Sequence, residues 1–485
     1  MNIRRAAAMA AFALLLPFSG AARAQSTPSG NDDLRREVEE QKQRLAILER
    51  KLELQQEAAT AAAATAPRVT GSAARFQIAS TDGANFVRLR GTLHADARTY
   101  GGESVPETAD TFILRRVRPT IEGTFGNIYD FRFMPDFAGG RSIIVDAYIA
   151  ARFNPAAVVT VGKFKPPAGL ERLQSSADIR FIERALPTLL VPNRDLGLQL
   201  SGEFKGGAFA YQVGYFNGVT DGQSSDNLAT PDIEVDTKGD YAARVFFQPF
   251  INGDNFNLRG LGFGLGSTWI DADGTAANTA LSTYRSAGQQ NVFAYRANTA
   301  TGVTPNNATF ADGQRLRLAP QFYYFRGSFG VLGEYTQVEQ DVTRVIGATV
   351  RSDSLTHSAW QSQFSWFITG EEETFRGYTP ASTFVPGPAN KADGGSGAWE
   401  LVARYHELDV DDATFVGGAQ SFANPLTAAS KVTAYGVGVN WYPWNTVKLS
   451  ANYEISTFEG GAANGPAVAD RADERAFFTR FALNF

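Results

Sequence analysis

The chain has 485 residues and a formal net charge of −5, long enough for one large domain or two to three ordinary ones and not the balance of a nucleic-acid binder. It contains no Cys and three His, namely His94, His357 and His406, far apart in sequence, which excludes disulfides and thiolate metal sites and argues against a His-based catalytic or metal cluster. Hydrophobic residues make up 44%, yet beyond the N-terminus no run approaches the ~18 apolar residues that a membrane helix needs.

Residues 1–24 read as a secretory signal peptide. Arg4 and Arg5 form a positive start, Ala6 to Leu16 a short apolar core, and Ala22-Arg23-Ala24 a small-residue cleavage site before Gln25. The mature chain is therefore expected outside the cytoplasm. Residues 25–57 read as a periplasmic helical segment, because Leu34, Val38, Gln41, Leu45, Leu48 and Leu52 repeat at alternating spacings of four and three. That is the seam of a short coiled coil, and it predicts self-association. Residues 58–74, rich in Ala and Thr and carrying Pro67, are expected to be a linker.

From about residue 75 a two-residue period takes over. In 85–99, Arg88, Arg90, Thr92, His94, Asp96 and Arg98 alternate with Val87, Leu89, Leu93, Ala95 and Ala97. In 446–456, Lys448, Ser450, Asn452 and Glu454 alternate with Val447, Leu449, Ala451, Tyr453 and Ile455. Segments of this kind are expected at about 85–100, 111–125, 129–137, 143–153, 158–165, 194–204, 208–217 and 239–248, then at 259–271, 313–326, 328–339, 355–369, 397–409, 430–442, 446–458 and 473–485. Many are longer than the roughly 5–6 residues of ordinary strands and match the roughly 9–11 of a tilted membrane strand.

Turns such as Gly126-Asn127, Asn154-Pro155 and Gly327-Ser328 look tight, whereas 272–312, 370–396 and 410–429 are long and polar. The final segment, RAFFTRFALNF, places Phe477, Phe481, Leu483 and Phe485 on one side, as in a strand with one face against lipid. The pattern predicts an all-β fold: a sixteen-stranded antiparallel transmembrane β-barrel over 75–485, with short turns at one end, long loops at the other and no free edge in the bilayer.

The same alternation assigns side chains to the lumen: Arg88, Arg90 and Arg98 on the first strand, Arg116, Arg118 and Glu122 on the second, Arg132 on the third and Arg152 on the fourth. Between residues 85 and 172 there are twelve Lys or Arg against nine Asp or Glu. Arg stays charged and presents a planar fork that matches oxyanions, and rings of cationic side chains favour anions in pores. The stretch 163–194 breaks the alternation. It combines Lys163, Lys165, Arg172, Arg180, Arg184 and Arg194 with Ile179, Phe181, Ile182, Leu186, Leu189, Leu190 and Val191, too apolar for a free loop. It is expected to fold into the barrel as a constriction over about 166–193.

The run FILRRVRPTIEGTFGNIYDFRFMPDF, then VDAYI, VGKFKPPAGLERLQSS, FIERALP and NRDLG, resembles the phosphate-selective porin O and P family. The similarity covers most of 75–485. The resemblance implies an outer-membrane barrel in contact with lipid, usually trimeric, that passes small anions, with phosphate or polyphosphate the family substrate. It further implies wall cations at Arg115, Arg116 and Arg132 and constriction residues at Lys163, Lys165, Arg172, Ser175 and Ser176. Arg115 is awkward, because strict alternation gives it the lipid face unless it lies at the strand's aqueous end. A general porin, or one for sugars or organic acids, is the alternative. Passive transport calls for no cofactor and no catalytic residue, and no enzymatic role is expected.

Overall fold

A computed structural model describes residues 30–72, 75–101, 110–225, 238–275, 278–298, 307–376, 380–384 and 395–485. The expected signal segment lies outside these residues. The chain divides into two units, Met1–Ala66 and Pro67–Phe485. In the first, one helix, α1, runs over Gly30–Thr65. It continues through much of the segment expected to be a linker, because Ala is the strongest helix former and no proline interrupts the run before Pro67. The seam residues Leu34, Val38, Leu45, Leu48 and Leu52 are all exposed in the single chain.

The second unit is a closed antiparallel barrel of sixteen strands. They are β1 Phe86–Gly101, β2 Thr111–Phe125, β3 Tyr129–Asp136, β4 Ile143–Asn154 and β5 Ala157–Phe164. Next come β6 Asp195–Phe204, β7 Phe209–Phe216, β8 Asp240–Phe247, β9 Leu261–Asp273, β10 Thr309–Arg326 and β11 Phe329–Ile346. The last five are β12 Thr349–Phe367, β13 Ala398–Asp409, β14 Ala429–Trp444, β15 Val447–Asn464 and β16 Glu474–Asn484. Each pairs with the next, and β16 closes on β1 from Arg475–Gly101 to Asn484–Thr92. The largest departures from the expected spans are the longer loop-side ends of β11, β12 and β15.

Facing follows the two-residue period. On β16, Phe477 and Phe481 are exposed to the outside, while Ala476, Phe478 and Arg480 are buried inside. Phe485 completes the closure: its backbone exchanges hydrogen bonds of 3.0 and 3.1 Å with Gly91. Its ring lies over that glycine, where a Cβ would come within 2.4 Å. Just below, a hairpin of Arg68–Ser72 and Arg75–Ala79 continues the same edge of β1, with Phe76 opposite Leu89.

The three-residue connection 126–128 at the short-turn end holds Gly126 and Asn127, both with positive φ, the geometry that suits hairpin twist. The expected separation of turn lengths does not hold throughout. The long 368–397 connection joins β12 to β13 at the short-turn end, and the two-residue turn between β11 and β12 lies at the loop end. Strand parity alone assigns a connection to one end, so its length is no marker by itself.

Three connections fold inward. Residues 166–193 cross the lumen, where Leu170, Ile182, Leu186, Leu190 and Val191 are fully buried. From the loop end, a short hairpin of Thr283–Arg285 and Asn291–Ala294 packs Tyr284, Val292 and Phe293 against Leu186 and Leu190. From the other end, Glu373 and Phe375 reach Arg180 and Gln174 of the crossing loop.

Candidate functional site

The site begins with a defect in β2. The β1–β2 register steps from His94–Arg116 to Ala95–Leu114, leaving Arg115 as the extra residue of a β-bulge. A bulge re-aims the side chains on either side of it. Before it, even-numbered Phe112 and Leu114 face outward at 88% and 57% exposure; after it, odd-numbered Ile121 does. Arg115 and Arg116 therefore both turn inward. The difficulty with Arg115 is resolved by the bulge and not by a position at the aqueous end.

Opposite these arginines lies the crossing loop, and between the two is a cavity of about 520 Å³. Eight arginines line it: Arg115, Arg116, Arg118, Arg141, Arg172, Arg184, Arg194 and Arg285. Only three carboxylates do so, Asp136, Glu183 and Asp221. Three of the arginines have a carboxylate partner. Arg115 Nε donates to Glu183 at 2.7 Å, Arg118 Nε to Asp136 at 2.7 Å and Arg194 Nε to Asp146 at 2.9 Å.

The other five meet no carboxylate among the described residues. Arg116 NH1 lies 3.2 Å from His94 Nδ1. Arg184 donates to the backbone oxygens of Glu171 at 3.2 Å and Gln174 at 2.8 Å. Arg172 donates to the Thr188 carbonyl oxygen, and Arg141 and Arg285 are exposed at the loop end. Nε of Arg116 and of Arg172 is buried without a hydrogen-bond partner. The site thus holds an excess of fixed positive charge with donors to spare.

Lys165 stands at the foot of the crossing loop, where its ammonium donates to the Gln174 carbonyl oxygen at 2.6 Å. Burial, then the guanidinium groups of Arg194 and Arg184, lowers its pKa well below the usual lysine value. Glu183 behaves oppositely. Against the burial that would raise it, Arg115, Arg98 and Arg116 hold its carboxyl well below the usual range. It is the loop's ionic tie to this wall, with Arg98 NH2 2.5 Å away.

The structure brings together Arg115, Arg116, Arg118 and Arg172 of the expected residues. Lys163, beside Gly162 at φ 127°, is buried and does not line the cavity. Arg88, Arg90 and Arg132 form a separate group nearer the short-turn end, where Glu122 accepts from all three at 3.4, 3.4 and 2.6 Å. Ser175 is exposed and accepts from the Ala177 N–H at 3.3 Å. Ser176 lines a different, much smaller cavity with His94, Lys448 and Arg480.

Arg141, Arg184, Arg194 and Arg285 were not singled out as site residues. Arg184 and Arg194 belong to the anomalous 163–194 stretch, so a signal existed; Arg141 and Arg285 sit in connections without any period. His94 lies against Arg116, and the other two histidines serve the scaffold. His406 Nδ1 accepts from the Leu186 N–H at 3.1 Å, and His357 contacts the Tyr295 hydroxyl at 2.6 Å.

A family model described as phosphate-selective porin O and P matches residues 87–485. Porin O of Pseudomonas aeruginosa is 23% identical over 399 residues, covering 78% of this chain and 84% of that protein. An uncharacterized protein of Caulobacter vibrioides is 22% identical over 347 residues, covering 72% of this chain and 63% of its own length. Among solved structures, the anion-selective porin from Comamonas acidovorans superposes with a TM-score of 0.49 at 11% identity, covering 83% of this chain and 100% of that one. The outer membrane channel DcaP of Acinetobacter baumannii gives a TM-score of 0.49 at 11% identity, covering 83% and 97%.

Proposed function

The chain belongs to the phosphate-selective porin O and P family, and from that premise we propose that it is a passive channel for small oxyanions, phosphate or polyphosphate foremost. It is a porin of the Gram-negative outer membrane. The observation that carries the anion reading is the cavity between the β2 bulge and the crossing loop, with eight arginines against three carboxylates. Fixed guanidinium groups in a narrow aqueous passage raise the local concentration of anions and offer paired hydrogen bonds to their oxygens. Release stays possible because the contacts are shared among several arginines, six of which also bond to the protein.

Phosphate block of chloride current across planar bilayers tests this. Anion-selective reversal potentials in a KCl gradient and saturable block by phosphate are expected. In Arg172→Ala the block should weaken by ~10-fold or more, the loss of one charge-assisted hydrogen bond. Cation preference in the wild type, or phosphate without effect on the current, rules the reading out.

A second reading has an observation of its own. Ile113, Ile143, Val145 and Leu189 line the same cavity, which also suits organic acids with an apolar body. Block by such an acid at concentrations where phosphate has no effect selects it. The exposed seam of α1 supports self-association, with three copies as the expected assembly.

A further inference from the structure

At the crossing loop's other attachment, the wall holds a set of oxygen atoms that the arginine cavity does not use. Glu171, in the helical turn Leu170–Leu173, and Glu334, on the inner face of β11, are buried at 0% and 3% exposure. The Glu171 N–H donates to Glu334 Oε2 at 2.9 Å. Gln361 Nε2 on β12 donates to Glu171 Oε2 at 3.1 Å, and Gln361 faces Glu334 directly across the β11–β12 ladder. These bonds leave Glu171 Oε1, Glu334 Oε1 and Gln361 Oε1 buried with no hydrogen-bond partner. Thr336 Oγ1, one inward position further along β11, is in the same state.

Two carboxylates on neighbouring elements away from bulk water repel each other, and every unpartnered acceptor adds a desolvation cost. Oxygen-only donors carrying two negative charges are the set a hard cation takes. The neighbouring guanidinium groups do not replace such an ion: Arg172 donates to the Thr188 carbonyl oxygen and Arg184 to the backbone oxygens of Glu171 and Gln174. Arg404 NH1 is 3.9 Å from Glu171 Oε1, while its NH2 closes on Glu454 at 2.6 Å.

We propose that a divalent cation, Ca2+ by its tolerance of an irregular oxygen shell, binds between Glu171, Glu334 and Gln361. Water completes its coordination, and the ion ties the crossing loop to the β11–β12 wall. The pore's constriction is then held by Glu183 on one side and by the metal on the other.

The test uses the full-length protein in detergent, treated with chelator and melted in chloride buffer without phosphate, so that its outcome is separate from that of the anion reading. About 1 mM Ca2+ is expected to raise the melting temperature by ~3 °C or more. Glu334→Gln keeps an acceptor for the Glu171 N–H and is expected to abolish that rise. Manganese paramagnetic resonance on the wild type needs no variant: bound Mn2+ that Ca2+ displaces is expected. A rise that persists in Glu334→Gln, or no rise together with no bound Mn2+, overturns the proposal and leaves a proton or water between the carboxylates.

Discussion

The lining of the cavity and the rest of the inner wall are both rich in arginine, and they differ in how much of it is neutralised. Away from the cavity, Arg404 closes on Glu454 at 2.6 Å and Arg180 of the loop is clasped by Glu373 and Glu400; on β16, next to the β1 strand that pairs with the bulge, Arg480 closes on Asp96 at 2.6 Å. These guanidinium groups are neutralised, and their remaining donors hold loop carbonyls: Arg404 binds the Glu183 oxygen at 3.0 Å and Arg480 the Ile182 oxygen at 2.8 Å. In the lining, Arg116, Arg172 and Arg184 face the cavity with no carboxylate. Counting arginines would score the two regions alike. Whether a carboxylate sits within reach is what separates an anchor from a site for a diffusible anion.

The contrast is most sharply broken by removing an anchor. Arg404→Ala leaves Glu454 buried without its guanidinium partner and with only His406 Nε2, 3.4 Å away, beside it, a loss of ~3–5 kcal/mol. Its thermal unfolding in detergent, followed by the shift in gel mobility on heating, should come at markedly lower temperature, whereas Arg172→Ala should melt close to wild type and lose phosphate block instead. If both variants melt alike, the division into two regions fails.

A smaller effect sharpens the site. Arginines keep their protons across the accessible range, but Lys165 can lose its own. Its pKa is depressed, so the ammonium is present at lower pH and neutralises earlier than an ordinary lysine as pH rises. Anion selectivity should therefore fall in a step below the usual lysine range when pH is raised from about 6 to about 10. Lys165→Arg should flatten that step, and Lys165→Met should show the alkaline behaviour throughout. Reversal potentials across this range check it; a step unchanged in Lys165→Arg assigns the titration elsewhere.

The smallest effect expected on the current concerns α1. Replacing Leu45 and Leu48 by Ser should weaken oligomers in detergent while leaving the conductance of each pore unchanged. Native-gel mobility and single-channel current measure the two separately.

Much of the fold was legible because facing along a strand is decided by neighbours two residues apart. All sixteen strands follow from that period, and so do the inward positions of Arg116, Arg118 and Arg480. The crossing loop was legible from the opposite signal, loss of period combined with too much apolar content. Arg115 was not, since a bulge shifts the phase by one residue and leaves no mark in hydropathy. Nor was the failure of Ser175 and Ser176 to join the arginine cavity, because a loop without period gives its side chains no predictable direction.

The sequence alone determined the barrel, its inside and its outside, because pleat geometry is local and water and lipid select one face each. The tertiary structure alone decided which charges neutralise one another. Arg180 and Glu373 are 193 residues apart and Arg480 and Asp96 are 384. Closure of the sheet brings such partners together across the ladder and the lumen, and no short-range pattern encodes that meeting.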